Sequence, residues 1–211
     1  MALDPDRLLA ENPIIAILRG IRPDEILDVA QTLVDQGIKV LEVPLNSPDP
    51  YDSIKLLCDK LGSICLCGAG TVVTAEQVEK VRQMGGKLVV SPNVDSAVIK
   101  RTIDLGMISV PGFSTSSEAY QAYHSGATYL KMFPAANIGL DYFKSISTIM
   151  PTDAKVIATG GINPENICSW LSAGAIGLGI GGDLYKPGIS LKELKERAGA
   201  LTSAIARCKD N

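Results

Sequence analysis

Histidine is nearly absent from this chain of 211 residues: His124 is the only one. Enzymes that hold a catalytic metal lean on imidazole ligands, so its scarcity counts against metal-dependent chemistry. His124 also falls near the end of a helical stretch, where a solvated histidine suits the helix C-terminus. Runs of basic residues are missing too, and the formal net charge is −3. That excludes nucleic acid and an acidic membrane surface as expected partners. No stretch is apolar for the length of a membrane span. The opening residues, Met1 to Glu11, carry acids where a signal peptide needs positive charge, so a cytoplasmic location is expected. Aromatic residues make up only 5% and are scattered, with Trp170 reading as packing. Cysteine is sparse and odd in number. Cys58, Cys65, Cys67, Cys168 and Cys208 read as free thiols of a reducing compartment, and Cys65-x-Cys67 lacks a second pair at metal-ligand spacing. Linkers and low-complexity segments are absent, so residues 1–211 are expected to form a single domain.

What is present is a repeated alternation. Short apolar runs, punctuated by Gly, Pro, Asn or Asp, alternate with stretches of helical period, the pattern of strand-helix units around a parallel sheet. Eight strands are expected at Ile14–Leu18, Val40–Pro44, Cys65–Ala69, Leu88–Ser91, Ser109–Pro111, Tyr129–Phe133, Lys155–Thr159 and Gly177–Gly181. Helix starts follow at Pro23-Asp24-Glu25, Asp49-Pro50, Thr74-Ala75-Glu76, Asp95-Ser96 and Ser116-Ser117-Glu118, with three more helices later. Units of about 24 residues fit an α/β fold of the (β/α)₈ TIM-barrel class, with Asp4–Glu11 as an extra N-terminal helix closing the bottom. A doubly wound sheet would place Gly-x-Gly-x-x-Gly after the first strand, and Leu18-Arg19-Gly20-Ile21-Arg22-Pro23 does not supply it.

On a barrel, inward side chains at the C-terminal strand ends build the active site. Lys131 sits inside the apolar run Thr128-Tyr129-Leu130-Lys131-Met132-Phe133-Pro134, and Glu42 inside Val40-Leu41-Glu42-Val43-Pro44. Buried charges are uncommon without a use. A desolvated lysine is neutral near pH 7 and attacks ketones, giving an iminium that serves as an electron sink; a carboxyl group carries protons beside it. The bland reading, a structural ion pair between Glu42 and Lys131, uses the same two residues. Phe133 shares the Lys131 face one strand repeat on and reads as an apolar pocket wall. Gly160 and Gly161 follow the seventh strand, and Gly181 and Gly182 the eighth, where barrels bind phosphate through backbone N–H groups. Arg19 ends strand one, facing either that phosphate or a substrate carboxylate, or else pairing with Asp24. Gly68-Ala69-Gly70-Thr71 offers amides and a hydroxyl to a carboxylate. Lys155 opens the seventh strand at the barrel bottom and reads as a solvated strand end.

Taken together, Ile15-Ala16-Ile17-Leu18-Arg19-Gly20, Leu41-Glu42-Val43-Pro44-Leu45-Asn46-Ser47-Pro48, Gly68-Ala69-Gly70-Thr71-Val72, Ser91-Pro92-Asn93, Leu130-Lys131-Met132-Phe133-Pro134-Ala135 and Thr159-Gly160-Gly161-Ile162 resemble the class I aldolases of 2-keto-3-deoxy-6-phosphogluconate and 6-phosphogalactonate. The resemblance spans nearly the whole chain in order. It implies a homotrimeric barrel that splits a phosphorylated 2-keto-3-deoxy sugar acid into pyruvate and D-glyceraldehyde 3-phosphate, without metal or added cofactor. It further implies Lys131 as Schiff-base lysine, Glu42 as acid/base, Arg19, Thr71, Pro92, Phe133 and Thr159 at the substrate, and Gly160, Gly161, Gly181 and Gly182 at the phosphate. The segment from Glu42 to Pro48, with Arg19, is similar to galactonate-type enzymes; Thr159 is similar to the gluconate type. Gly182 stands where relatives often carry serine, which removes one phosphate hydrogen bond of about 1 kcal/mol. The gluconate epimer and non-phosphorylated 4-hydroxy-2-oxoglutarate stay open as substrates. A phosphosugar isomerase or epimerase barrel and a non-catalytic phosphosugar-binding barrel remain the readings from other classes.

Overall fold

The computed structural model describes residues 3–209. Nine strands form one parallel sheet: β1 (Ile14–Ile17), β2 (Val40–Pro44), β3 (Leu66–Gly70), β4 (Leu88–Val90), β5 (Ile108–Val110), β6 (Gly112–Phe113), β7 (Tyr129–Met132), β8 (Lys155–Thr159) and β9 (Gly177–Ile180). Their order is β5-β4-β3-β2-β1-β9-β8-β7-β6. β5 and β6 are two halves of a single barrel strand divided at Pro111. The first half pairs with β4 and the second with β7, and the Lys131 N–H reaches the Pro111 carbonyl at 2.8 Å. Proline has no N–H for a ladder, which accounts for the interruption. The sheet therefore closes as an eight-stranded barrel, and the fifth strand extends past the expected Pro111 to Phe113.

Among the described residues ten helices accompany the strands: α1 (Pro5–Glu11), α2 (Ile26–Asp35), α3 (Pro50–Leu61), α4 (Ala75–Gln83), α5 (Ser96–Asp104), α6 (Ser116–His124), α7 (Ala135–Ile138), α8 (Leu140–Ser147), α9 (Ile167–Ser172) and α10 (Leu191–Lys209). Local signals set several starts. Thr74 and Gln77 close a capping box before α4, and Thr115 and Glu118 close another before α6. The short α7, which follows a cis Phe133–Pro134 bond, lies outside the expected elements.

Strand side chains alternate, so every second residue faces the barrel interior. Ile15, Val40, Leu66, Leu88, Val90, Val110, Tyr129 and Ile157 form one apolar cluster there, closed by Leu8 and Leu9 of α1. Each of those two leucines stabilises the plug by roughly 2 kcal/mol through burial. The same alternation carries the inward face on to Glu42 after Val40, to Lys131 after Tyr129 and to Thr159 after Ile157. The larger cluster packs the outward strand faces against the helices.

Two expectations need correction. Lys155 is no solvated strand end: it pairs with Asp6 of α1, which also accepts the Tyr129 hydroxyl, because α1 folds back over that opening. Nor are all five cysteines free. Cys168 of α9 and Cys208 of α10 form a disulfide with Cα atoms 5.3 Å apart, since the terminal helix packs beside α9; Cys58, Cys65 and Cys67 are free.

Candidate active site

Residues 42 and 131 enter the barrel from nearly opposite sides, on β2 and β7. Both are buried, Glu42 to 2% exposure and Lys131 to 7%. Burial pushes the Glu42 carboxyl up to about 7, against the pull of the Lys131 and Arg19 charges. Burial likewise holds the Lys131 amine below the ordinary lysine range, with Glu42 opposing and Arg19 assisting. Desolvation outweighs attraction on both members. Burial thus favours the uncharged form of both groups, a carboxyl that titrates near 7 facing an amine made easier to deprotonate. Glu42 Oε2 has no hydrogen-bond partner among the described residues. A buried carboxyl oxygen without a partner costs free energy that a structural ion pair does not leave unspent.

Other groups close around this pair. The Phe133 ring lies 4.8 Å from Lys131 Nζ, and the Phe133 carbonyl accepts from Ser114 Oγ at 2.7 Å. Ring and hydroxyl thus fix the residue following the lysine's strand. Thr159, at 3% exposure, ends β8 on the inward face. Arg19 donates from Nη1 to Asn46 Oδ1 at 2.6 Å, while the Gly20 N–H reaches Ser47 Oγ at 2.9 Å. These two bonds clasp the loop after β1 to the loop after β2. Arg19 does not pair with Asp24, whose partner is Arg22.

The glycine loops sit at the same end. Gly160 and Gly161 adopt φ of 95° and 73°, the left-handed region open to glycine. A Cβ at Gly160 would meet the Phe133 ring at 3.3 Å, so this loop packs directly on the lysine's neighbour. The N–H groups of Gly161 and Gly182 have no intramolecular acceptor among the described residues. β9, which ends before Gly181, pairs with β1, and a Cβ at Gly181 would stand 3.8 Å from the Ile17 Cβ at the end of β1. Thr71 follows β3 with φ of 58°, a rare conformation for a β-branched residue and one that concentrates at functional sites. Pro92 follows β4 and is exposed. Thr71 shares no hydrogen bond with Lys131 or Glu42 among the described residues.

Ser47 and Ser114 are the residues that sequence reasoning passed over. Each anchors a site element from a distant loop, 27 and 19 residues away; Ser47 lies in the Leu41–Pro48 segment but had no role of its own there, and Ser114 lies in no motif. The described residues contain no group of three or more His, Cys, Asp or Glu side chains able to hold a metal ion.

The family profile "KDPG and KHG aldolase" matches residues 6–197. The 2-dehydro-3-deoxy-6-phosphogalactonate aldolase of Escherichia coli (strain K12) is 43% identical over 91% of this chain and 94% of its own length. A solved structure described as native KDPGal superposes with a TM-score of 0.93 at 42% identity, covering 94% of this chain and 97% of that one. The KDPG aldolase of Legionella pneumophila, solved with pyruvate captured as a covalent carbinolamine intermediate, superposes with a TM-score of 0.82 at 27% identity, covering 100% and 98%.

Proposed function

Because the chain belongs to the KDPG and KHG aldolase family, and is therefore a carbon–carbon lyase, we propose that it cleaves 2-dehydro-3-deoxy-6-phosphogalactonate through a Schiff base on Lys131. The observation that carries this reading is the buried Glu42–Lys131 pair on the barrel's inward face, with a carboxyl raised to about 7 and an amine held below the ordinary lysine range. Similarity to the galactonate enzyme, at 43% against 27% for the Legionella gluconate enzyme, supports the galacto epimer.

In this mechanism neutral Lys131 attacks the C2 ketone, and Glu42 donates the proton with which the carbinolamine oxygen leaves as water. The iminium then accepts the electron pair of the C3–C4 bond as Glu42 removes the C4 hydroxyl proton. Glyceraldehyde 3-phosphate departs. Glu42 returns its proton to C3 of the enamine, and water releases pyruvate and restores the amine. Only a group with a pKa near the working pH both accepts and donates at each turn.

Arg19, held by Asn46, presents a guanidinium at the same barrel end as the N–H groups of Gly161 and Gly182, and these with Gly160 and Gly181 form the phosphate cradle of the reading. Thr71, Pro92, Phe133 and Thr159 line the pyruvate and hydroxyl portions. No metal or added cofactor enters any step. The reading also includes one domain for the whole chain and a cytoplasmic location, because a sugar acid that carries both a carboxylate and a phosphate does not cross a bilayer unaided. A homotrimer is part of the same reading.

Borohydride added with pyruvate is expected to fix a reduced adduct on the peptide containing Lys131. Unmodified Lys131 after complete inactivation defeats the mechanism. Steady-state kcat/KM for both C4 epimers then tests the substrate, with a larger value for the galactonate expected.

A further inference from the structure

The three free cysteines converge on the outer wall of the barrel. Cys58 lies in the last turn of α3; the chain then returns through Gly62 to Cys65 and to Cys67 of β3. Cys67 belongs to the outward packing layer, while its neighbour Leu66 faces the barrel interior, so the sulfurs lie on the far side of the sheet from Glu42. Cys58, Cys65 and Cys67 line one cleft, and the Cys67 Sγ donates to the Cys65 carbonyl at 3.5 Å.

A cleft of about 90 Å³ leads to these sulfurs, bordered by Gly62, Gly85 and Lys87. Glycine keeps it open: a Cβ at Gly85 would stand 3.2 Å from the Cys58 Cβ. Cys58 is half-buried, whereas Cys65 and Cys67 are 0% and 2% exposed. One sulfur is therefore reachable, and two stand behind it. The Cys67 hydrogen bond holds the Cys58 thiol below the ordinary thiol range, against burial and Asp59 and with help from Lys87 and Lys55. The Cys67 thiol is pushed up by its two sulfur neighbours and by burial. A thiol made more acidic thus stands beside one made less acidic, the order found between a peroxide-reactive cysteine and its resolving partner.

We propose that Cys58 and Cys67 form a peroxide-reactive modification site outside the active centre, in which Cys58 is attacked first and Cys67 resolves it to a disulfide. The Cys58 thiolate attacks one oxygen of hydrogen peroxide; the O–O bond breaks, and hydroxide leaves to take a proton as water. Cys58 becomes a sulfenic acid. The Cys67 sulfur then attacks the Cys58 sulfur, the S–O bond breaks, and a second water leaves with the Cys67 proton. Two thiols have supplied the two electrons that reduce one peroxide. Cys67 resolves rather than accepting from Cys65, because two extended residues separate Cα atoms by about 6.6 Å, near the upper limit for a disulfide. A cleft of about 90 Å³ has room for a few waters' volume. That volume suits peroxide better than a tripeptide disulfide.

The test treats the full-length protein with hydrogen peroxide or, separately, with glutathione disulfide, followed by alkylation and peptide mapping that resolves the Cys168–Cys208 bridge. Peroxide is expected to yield a peptide linked through Cys58 and Cys67 with the loss of two thiols. Glutathione disulfide is expected to leave Cys58 free. Cys67→Ser should stop at a sulfenic acid on Cys58 that dimedone traps, Cys65→Ser should still give the linked peptide, and Cys58→Ser should slow oxidation of Cys67 by at least about 10-fold. The proposal fails if the wild-type protein gives a Cys65–Cys67 link, glutathionylated Cys58, direct overoxidation of Cys58, or no reaction. Because the wild-type map alone reads out these results, a variant that fails to fold leaves the decision intact.

Discussion

Gly70 lies against the carboxylate of Glu42: a Cβ at position 70 would stand 1.8 Å from Oε2. The register of β2 and β3 pairs Pro44 with Gly70, so the glycine occupies the step of the neighbouring strand toward which the glutamate leans. Closeness here is a packing requirement and involves no unusual backbone at residue 70.

Gly70→Ala must therefore move the Glu42 carboxyl. A displacement of about 1 Å at a reacting group costs on the order of 100-fold in rate. The expected outcome is a kcat lower by about that factor with a folded barrel, checked by steady-state kinetics beside circular dichroism. An unchanged kcat separates Glu42 from the chemistry.

Glu42 also makes stability depend on pH. Its folded pKa, about 7, lies above the ordinary 4.5, so the folded protein holds a proton that the unfolded chain has released. The contribution is fully present below about pH 4.5 and is lost as pH rises through 7. Relative to Glu42→Gln, the wild type should lose about 3 kcal/mol between pH 4.5 and pH 8, an upper figure for a fully buried group. Urea melts of both proteins across that range check the sign. The same variant should lower kcat by about 10²–10⁴ and abolish the inflection near pH 7 in the rate profile.

Thr159 places a buried hydroxyl at the inner end of β8. A hydroxyl that contacts the C4 substituent discriminates epimers by about 1 kcal/mol. Thr159→Val is expected to change the ratio of kcat/KM for the two C4 epimers by roughly 5- to 10-fold, in favour of the galactonate. Kinetics on both epimers with one enzyme preparation measures it. An unchanged ratio removes Thr159 from stereochemical recognition.

Position 182 has room for a side chain, since a Cβ there would touch only Lys186 Cε, at 3.7 Å. Gly182→Ser should add a phosphate hydrogen bond of about 1 kcal/mol and lower KM for the phosphorylated substrate about 5-fold. Turnover of 4-hydroxy-2-oxoglutarate, which has no phosphate, should not change. A loss of KM contrast between the two substrates would place the phosphate elsewhere.

The site was legible in part. Lys131 and Glu42 stand out because each interrupts an apolar strand, and a period of two puts them on the interior face once a barrel is assumed. Arg19 was legible as a strand-end residue, but its partner was not: Asn46 is 27 positions away, and Asp24 was a nearer candidate. The split of the fifth strand at Pro111 was missed because the run ends in the usual sign of a strand terminus. Cys168 and Cys208 are 40 residues apart and meet only because α10 returns alongside α9.

Periodicity and local chemistry by themselves determined the strands, the capped helices, the buried lysine and glutamate, and the glycine turns, because each depends on neighbours within a few residues. Tertiary structure decided what closes at long range. It set the depth that moves the carboxyl toward 7, the clasp between the loops after β1 and β2, the α1 plug held by Asp6 to Lys155, and the gathering of three thiols outside the barrel. Solvent exclusion and contacts across the sheet depend on the whole closed barrel, and no single segment carries them.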